Sequence, residues 1–494
     1  MLPQSAVATA REGYAVSEWT KTPSTDTAED ERGYYLGKVI QLASVAALGG
    51  FLFGFDTAVI NGAVGAMRED FGMNAGLTGF VVSSALLGCL AGAYLAGRLA
   101  DRWGRLRVMF LASALFTISA IGSGLAFGPV DMILWRVIGG LGVGAASVIA
   151  PAYIAEISPA AIRGRMGSLQ QLAIVIGIFI ALLSDYALAQ AAGGSNEQLW
   201  FGLDAWRWMF LVEAIPAVAY GVLAATIPES PRYLVSLGEE GRARQILSSV
   251  LKGGVDLRIS EIKRTILLDR KSSFSDLKKP GGGLLPIVWI GIALSVFQQF
   301  VGINVIFYYS STLWQAVGFS EEDALAQTVI TSVTNIVVTL VAIALIDHIG
   351  RRRLLMIGSA GMFVSLGVMA WVFSQATLVP GDDGQLTPVL EGSQGPIALV
   401  AANAFVVFFG MSWGPAVWVL LGEMFNNKIR GTAIGLAAAA QWGANFLIST
   451  TFPSMAEIGL WFAYGFYTLA ALASFFFVLK FVPETKGKEL EDMD

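Results

Sequence analysis

The stretch GRLADRWGRLR at positions 97–107 is matched by IDHIGRRR at 346–353, and each follows a long apolar run. Both stretches place an acid and several arginines on a short polar connection. Two further pairs occur in the same order along the chain: YIAEISPAAIRG (153–164) with LLGEMFNNKIRG (420–431), and PESPR (228–232) with PETKG (483–487). Three matched pairs in one order predict a duplicated unit with two parallel halves.

The composition places this duplicated unit in a membrane. Of the 494 residues, 55% are hydrophobic and 14% are charged, whereas a soluble domain carries about 25% charged residues. Apolar runs of roughly 20 residues recur, and as helices they are long enough to cross a hydrocarbon core of about 30 Å. We therefore predict an all-α membrane protein with two pseudo-symmetric six-helix bundles. The twelve predicted spans are 38–60, 77–99, 106–127, 132–155, 168–188, 208–227, 284–313, 325–347, 354–375, 397–421, 430–452 and 460–482.

Charge placement predicts the orientation of the chain. Of the 32 Lys and Arg residues, all but Arg68, Arg136 and Arg207 lie in or beside the termini and the connections after even-numbered spans. The positive-inside rule therefore predicts that both termini are cytoplasmic. Short outer loops and the absence of a signal peptide favour the plasma membrane or a prokaryotic inner membrane. The predicted segments are an N-terminal tail (1–35), a six-helix bundle (36–227), a cytoplasmic helical linker (228–283), a second six-helix bundle (284–482) and a C-terminal tail (483–494).

Several function classes are disfavoured by the residues that the chain lacks. The single cysteine, Cys89, excludes a disulfide framework, and with the single histidine, His348, it excludes a Cys- or His-based metal site. The predicted spans contain no clustered acids and no nucleophile–base arrangement, which argues against an enzyme. We expect no catalytic residue, no metal, no cofactor and no nucleic-acid partner.

Acidic and basic residues recur at the cytoplasmic ends of the spans in both halves. They are open to two interpretations: a solvated loop that obeys the positive-inside rule, or a structural and gating network. In the second, bridges between neighbouring helices open when the cytoplasmic side opens. The duplication of the whole set favours the network. Its members are Asp101, Arg105, Glu156 and Arg163 in the first half and Asp347, Arg351, Glu423 and Arg430 in the second.

Amides and tryptophans interrupt several apolar spans. In SVFQQFVGINVIFYYSS (295–311), Asn304 and Tyr308 share a helical face. Gln298 and Asn304 do not share one in an ideal helix, so their convergence needs a distortion that Gly302 could supply. One such amide is more often an interhelical hydrogen bond, but many beside tryptophans indicate a pocket for a ligand with hydroxyls and an apolar face, such as a sugar. The other candidates are Gln171, Asn335, Gln441, Asn445, Trp413, Trp418 and Trp442.

Asp56 lies in the apolar stretch GGFLFGFDTAVINGA (49–63). Asp56 and Arg136 are both predicted to lie roughly 6–9 Å inside the outer boundary, where each is costly alone and far less so when paired. We predict that they pair, although Asp185 is another acid in the outer half. The pair has two interpretations: a permanent bridge between spans 1 and 4, or a carboxylate that takes a proton when the arginine moves away.

Several motifs together resemble the sugar porter family of the major facilitator superfamily. GRLADRWGR, PAYIAEISPAAIRG, PESPR, QQFVGIN, GPAVW and PETKG occur in the family's order, and the resemblance covers residues 36–490. It implies transport by alternating access, with no covalent chemistry and no cofactor. It implies an aromatic gate at Tyr308 and Tyr309. The implied sugar contacts are Gln171, Gln298, Gln299, Asn304, Asn335, Trp418, Gln441, Trp442 and Phe53.

The resemblance also bears on substrate and coupling. Ile178 matches the glucose facilitators, whereas the related bacterial xylose symporter has Gln at this position, so a hexose such as glucose is favoured. Proton symporters of the family carry Asp at position 56, animal facilitators commonly carry Asn, and some bacterial facilitators keep Asp. We expect a proton-coupled monosaccharide symporter that acts as a monomer in the lipid bilayer. A facilitative uniporter and a sugar-sensing receptor are the alternatives, and the short segment after PETKG argues against the receptor.

Overall fold

Long helices account for almost all of the chain in the computed structural model. The structure describes residues 33–268, 273–279, 282–380, 386–425 and 429–484, and the side chains of residues 160, 267–268, 343–348, 378–380 and 386–388 are also outside the description. The two predicted tails lie almost entirely outside the described residues.

The helices of the first half follow the order that the repeat predicts. They are α1 (Leu36–Ala58), α2 (Ile60–Asp70), α3 (Ala75–Trp103), α4 (Arg105–Gly124), α5 (Pro129–Ile157), α6 (Ala160–Ala192), α7 (Ala205–Val212) and α8 (Ala214–Ala224), followed by the short α9 (Pro231–Ser236), α10 (Glu240–Val250) and α11 (Val255–Leu268). Span 1 is formed by α1 and α2, and span 6 by α7 and α8. The linker helices α9 to α11 pack on one another and on the first half.

The second half repeats this order. A short 3-10 helix (Phe274–Leu277) precedes α12 (Pro286–Phe300), α13 (Ile303–Gln315), α14 (Glu321–Ile349), α15 (Arg351–Ser374), α16 (Gln394–Met411), α17 (Trp413–Met424), α18 (Arg430–Ile458) and α19 (Leu460–Phe481). Two antiparallel hairpins occupy outer connections. Their strands are β1 (Gln198–Trp200) with β2 (Leu203–Asp204), and β3 (Thr377–Pro380) with β4 (Leu386–Val389).

Helix packing confirms that the two halves are copies of one unit. In the first half span 1 packs on span 5, span 3 on span 4, and span 3 on span 6, through the pairs α1–α6, α4–α5 and α4–α8. The equivalent pairs of the second half, α12–α18, α15–α16 and α15–α19, also pack together. The same neighbours therefore recur six spans later.

Eleven of the spans in the described residues are long and apolar enough to cross a membrane. The remaining span, span 11, is α18, which has 29 residues and would extend about 43 Å. It is less apolar because amides such as Gln441 and Asn445 interrupt it. These are among the residues from which the sequence predicts a ligand pocket.

The duplicated stretch that opens each half's second connection forms the same turn twice. Gly104 and Gly350 have φ of +93° and +95°, in the left-handed region that glycine tolerates best. Each is followed by a helix whose first amides donate to a carboxylate: Arg105 N to Glu229 Oε1 at 3.0 Å, and Arg351 N to Glu484 Oε1 at 3.1 Å. The acids of PESPR and PETKG therefore cap α4 and α15.

The predicted distortion of span 7 is confirmed. Gly302 separates α12 from α13 with φ of +83°. A Cβ at this position would lie 2.7 Å from the ring of Tyr467. Spans 1 and 10 are interrupted as well, at Val59 and at Ser412.

We predict that Gly302→Ala destabilises the protein, because the left-handed conformation costs an L-residue roughly 1–2 kcal/mol and the new methyl group meets Tyr467. The apparent melting temperature of the purified protein in detergent should fall by several degrees. Gly465→Ala is the matched control, because a Cβ there meets open space. An unchanged melting temperature for Gly302→Ala would contradict the strain argument.

Candidate functional site

The break in span 7 brings three predicted amides into one hydrogen-bonded chain. Asn304 Nδ2 donates to Gln299 Oε1, and Gln299 Nε2 donates to Gln298 Oε1 at 3.5 Å. Gln298 Nε2 donates to the carbonyl oxygens of Trp413 at 2.8 Å and Gly414 at 3.3 Å. The amide chain (Asn304, Gln299, Gln298) therefore joins the interruption of span 7 to that of span 10.

Trp413 supports the interruption of span 10 from the other side. Ser412 leaves the helical conformation, with φ of −129° and ψ of −84°. The Trp413 side chain is fully buried. Its indole Nε1 donates to the Leu355 carbonyl oxygen at 3.1 Å and to Ser359 Oγ at 3.0 Å. Trp413 thus anchors α17 on α15 and does not line a pocket.

The other candidate contacts come from both halves. Phe53 and Trp442 face each other across the halves with ring centroids 5.9 Å apart. Trp418 is 42% exposed, so its ring is free to meet a ligand. The buried Oε1 of Gln441 has no hydrogen-bond partner in the described part of the chain.

Gln171 and Asn335 lie on spans 5 and 8 and are half-buried. Neither of them, nor Trp418, has a described hydrogen bond to the amide chain. The structure therefore brings three of the nine candidates into direct contact with one another and pairs two more through their rings.

The two tyrosines of the predicted gate are buried on α13. Tyr309 donates its hydroxyl to the Ser449 carbonyl oxygen at 2.8 Å, and its ring lies 5.1 Å from that of Phe452. The hydroxyl of Tyr308 lies close to the side chain of Asn445. Both tyrosines therefore tie α13 to α18 within the second half.

Asn61 joins span 1 to the same helix across the two halves. Its Nδ2 donates to the Phe307 carbonyl oxygen at 3.0 Å and to Ser310 Oγ at 2.9 Å. Its Oδ1 accepts from the amide of Ser311 at 3.1 Å, and its carbonyl oxygen accepts from Ser311 Oγ. We call Asn61, Ser310 and Ser311 the outer clip. The sequence analysis missed Asn61, whose only signal was an amide at the outer end of an apolar span.

Further contacts close the outer side. Several side-chain hydrogen bonds and one ion pair join the two halves, and they lie toward the predicted outer ends of the spans. Besides the outer clip they are Ser83 with Thr450 (2.6 Å), Gln190 with Glu322 (2.7 Å), the Ser195 amide with Glu321 (3.0 Å) and Arg68 with Glu457 (3.8 Å). The two halves are therefore closed on each other at the ends of the spans that the charge bias predicts to face outward.

Asp56 and Arg136 form the predicted contact. Arg136 Nη1 lies 3.1 Å from Asp56 Oδ1 and 3.2 Å from the Asp56 carbonyl oxygen, and the two side chains are 1% and 3% exposed. The pairing leaves Asp56 Oδ2 and Arg136 Nε without hydrogen-bond partners in the described structure. Gly139 leaves room for the carboxylate, because a Cβ there would lie 3.2 Å from Asp56 Oδ1.

Two more acids are buried in the first half. Glu213, at the junction of α7 and α8, is 1% exposed, and the sequence analysis did not single it out. Asp185 is fully buried and accepts a hydrogen bond from the Gly62 amide at 3.2 Å. Arg136 therefore pairs with Asp56 and not with Asp185.

The charges at the predicted cytoplasmic ends repeat the same arrangement in both halves. Arg105 contacts Glu156 through two bonds, of 2.9 and 2.8 Å, and Arg351 contacts Glu423 through two bonds, of 3.1 and 2.8 Å. Asp101 lies 3.8 Å from Arg105. All these bridges join helices of one half, so the expectation that they open with the cytoplasmic side does not follow from their geometry.

The remaining predicted members bind backbone. Arg163 Nε donates to the Ala155 carbonyl oxygen and Arg430 Nε to the Phe425 carbonyl oxygen, both at 3.2 Å. The side chain of Asp347 lies outside the described residues. The sequence analysis placed Glu229 and Glu484 in matched motifs but not in this network.

Comparison with known proteins agrees with this architecture. Residues 42–494 match the family described as "Sugar (and other) transporter". The chain is 61% identical to the glucose transport protein of Synechocystis sp., over 92% of this chain and 97% of that relative. It is 38% identical to the D-xylose-proton symporter of Escherichia coli, over 93% and 96%.

A solved structure shares the fold. The inward open conformation of the xylose transporter XylE from Escherichia coli matches with a TM-score of 0.77 and 36% identity, over 92% of this chain and 99% of that one. The protein is therefore a membrane transporter with the major facilitator fold, and not an enzyme. Within that class, the chain belongs to the sugar transporter family.

We predict that Gln298→Ala weakens sugar binding about tenfold, because it interrupts the amide chain and removes the hydrogen bonds to span 10. Isothermal titration calorimetry of the purified protein measures the affinity, and the melting curve checks the fold. The control is Gln375→Ala, which removes an exposed amide that bonds only to Ser374 in the described structure. An unaltered affinity would remove Gln298 from the site.

Proposed function

We propose that this protein imports a monosaccharide, glucose in the first instance, together with a proton. The observation that carries the proposal is the buried Asp56–Arg136 pair, with its 3.1 Å contact and its unpartnered carboxylate oxygen. Three relatives support it: the glucose transport protein at 61% identity, the D-xylose-proton symporter at 38% and the arabinose-proton symporter of Bacillus subtilis at 34%.

The proposed sugar site combines hydrogen-bonding amides with exposed ring surface. Each sugar hydroxyl both donates and accepts, as a primary amide does. The amide chain of span 7 and the free oxygen of Gln441 would bind hydroxyls, while the ring of Trp418 would cover the apolar face of the sugar. Gln171 and Asn335 would complete the site from spans 5 and 8, and Phe53 and Trp442 would line it.

Glucose is favoured over a pentose by position 178. Ile178 is half-buried and packs against the hydrophobic core. An aliphatic side chain presents apolar surface where an amide would offer hydrogen bonds, and this suits the extra carbon of a hexose. The 61% identity to a glucose transport protein supports the same choice.

Coupling would follow from the charge pair. An ionised carboxylate is stable in a low-dielectric interior only beside its counter-charge. Protonation removes that attraction and frees span 1 from span 4. Phe53 lies one helical turn before Asp56 on α1, so a sugar that contacts Phe53 acts on the helix that carries the carboxylate. A proton and a sugar would then bias the same two-state equilibrium.

The tyrosines and the outer clip would form the outer gate. Tyr308 and Tyr309 lie on α13, the helix that Asn61 holds. Opening toward the outside would break the outer clip and move α13. The cytoplasmic bridges of Arg105 and Arg351 would keep each half rigid during this movement.

We further propose that the protein acts as a monomer in the cell membrane with both termini in the cytoplasm. The positive-inside distribution of Lys and Arg supports this orientation. A facilitative uniporter remains the second candidate, because the same ion pair would serve as a permanent bridge between spans 1 and 4.

Asp56→Asn is expected to abolish uphill sugar accumulation driven by a pH gradient while leaving sugar counterflow intact, because an amide cannot carry a proton. Both assays use proteoliposomes with radiolabelled glucose. Asp131→Asn is the control, because Asp131 is a half-buried acid at the start of α5 that accepts a hydrogen bond from the Phe127 amide and forms no ion pair with Arg136 in the described structure.

The same assays separate the alternatives. Equal loss of accumulation and counterflow in Asp56→Asn would indicate a structural bridge. Wild-type uptake that does not respond to the pH gradient would indicate a uniporter. Sugar binding without any transport would indicate a receptor.

A further inference from the structure

One peptide unit of span 1 is hydrogen-bonded on both sides. Its N–H belongs to Gly62 and donates to Asp185 Oδ2 at 3.2 Å. Its C=O belongs to Asn61 and accepts from Ser311 Oγ. Asp185 lies on α6 of the first half, whereas Ser311 lies on α13 of the second. A single peptide unit thus connects a buried acid of one half to the gate helix of the other.

The fit between Asp185 and this peptide depends on a glycine. A Cβ at position 62 would lie 2.6 Å from the Asp185 Cβ and 2.8 Å from its Oδ2. Gly62 therefore lets α6 approach α2 closely enough for the carboxyl group to reach the backbone. Hydrogen bonds in a chain polarise one another, so an acceptor at the N–H strengthens the bond that the C=O accepts.

Asp185 has no counter-charge among the described residues. It is fully buried, its Oδ1 has no hydrogen-bond partner, and no ion pair includes it. An ionised carboxylate with a single N–H donor is costly in an apolar interior, whereas a neutral carboxylic acid accepts the same bond without a net charge.

The ionisable groups on the elements packed against α6 have other partners or none. Glu213, at the junction of α7 and α8, is itself buried and makes no ion pair in the described structure. Three ion pairs hold other groups: Asp56 with Arg136, Arg207 with Asp70, and Arg68 with Glu457. Three more acids accept hydrogen bonds: Glu69 from Asn196, Glu321 from Ser195 and Glu322 from Gln190.

We propose that Asp185 is a positioning residue of the outer gate. As an uncharged carboxylic acid, it orients the Asn61–Gly62 peptide so that the outer clip closes on α13. Its ionisation would favour the outward-open conformation, where water can solvate the charge. The proposal rests on the alternating-access function proposed above.

The test measures gate opening directly. Gly65→Cys, in a Cys89→Ala background, places a thiol on α2, where a Cβ lies 4.0 Å from Thr312 Cγ2 of α13. Position 65 is half-buried in this structure, so a membrane-impermeant maleimide added outside right-side-out vesicles labels this thiol faster when the outer side opens. We call the Gly65→Cys, Cys89→Ala protein the reporter protein. Its labelling rate is compared with the rates after Asp185→Leu, Asp185→Asn and the neighbouring control Ser184→Ala are added to it.

Asp185→Leu is expected to be labelled about three- to tenfold faster than the reporter protein, because one net hydrogen bond is lost from the closed state. Asp185→Asn keeps an acceptor oxygen and should be labelled within about twofold of the reporter. Labelling of Asp185→Leu at the reporter rate would overturn the proposal. Labelling of Asp185→Asn as fast as Asp185→Leu would overturn the neutral-acid role.

A pH profile keeps the proposal testable if Asp185→Leu fails to fold. The ratio of labelling rates between the reporter protein and Asp185→Asn cancels the intrinsic pH dependence of the thiol. This ratio should rise with external pH, because the side chain at position 185 can ionise in the reporter protein but not in Asp185→Asn. A flat ratio would contradict the proposal. Sugar counterflow in the same vesicles separates the two claims: a flat ratio with intact counterflow rejects only the role of Asp185.

Discussion

No water reaches the middle of a bilayer, so a helix that breaks there must find new partners for its freed backbone groups inside the protein. Spans 7 and 10 leave the helical conformation at Gly302 and Ser412, and the side chains around them supply those partners. The Gln298 amide donates hydrogen bonds to the carbonyl oxygens of Trp413 and Gly414 at the interruption of span 10. In span 1, after Val59, Asp185 accepts a hydrogen bond from the Gly62 N–H, and Ser311 of the outer clip donates one to the Asn61 carbonyl oxygen. Gln298, which the sequence analysis placed in a ligand pocket, therefore also stabilises a broken helix.

The two halves share a fold but carry different kinds of buried polar side chain. Among the described residues, every fully buried charged side chain lies in the first half: Asp56, Arg136, Asp185 and Glu213. The second half supplies neutral amides and aromatic rings instead. Three acids against one base means that the first half gathers the groups able to exchange protons, while the second gathers groups suited to hydroxyls. Coupling a proton to a sugar then requires communication between the halves. The outer clip provides direct hydrogen bonds between span 1 of the first half and α13 of the second.

Much of the fold was readable from the sequence, because span length, repeat order and charge bias depend on local composition. The contact of Asp56 with Arg136 was also accessible, since a deep charge needs a partner and only one cation lay at that depth. Asn61 and Asp185 could not be assigned, because their partners are backbone groups and serine hydroxyls of other helices, and the sequence does not show which helices lie close together. The sequence also could not tell which neighbouring helix each arginine at the predicted cytoplasmic ends would contact. Which neighbour an arginine meets depends on helix rotation, and composition does not encode rotation.

The acid of PESPR has a consequence for how the chain is made. Glu229 caps α4 and belongs to the same half as Arg105 and Glu156, and Glu484 repeats this arrangement with Arg351. The contacts of Arg105 with Glu156 and of Arg351 with Glu423 each lie within one half. The first six spans can therefore complete their own cytoplasmic bonding while the ribosome is still translating the linker, and the second six can do the same later. The two halves would then be inserted into the membrane one after the other, and the contacts between the outer ends of their spans would form last.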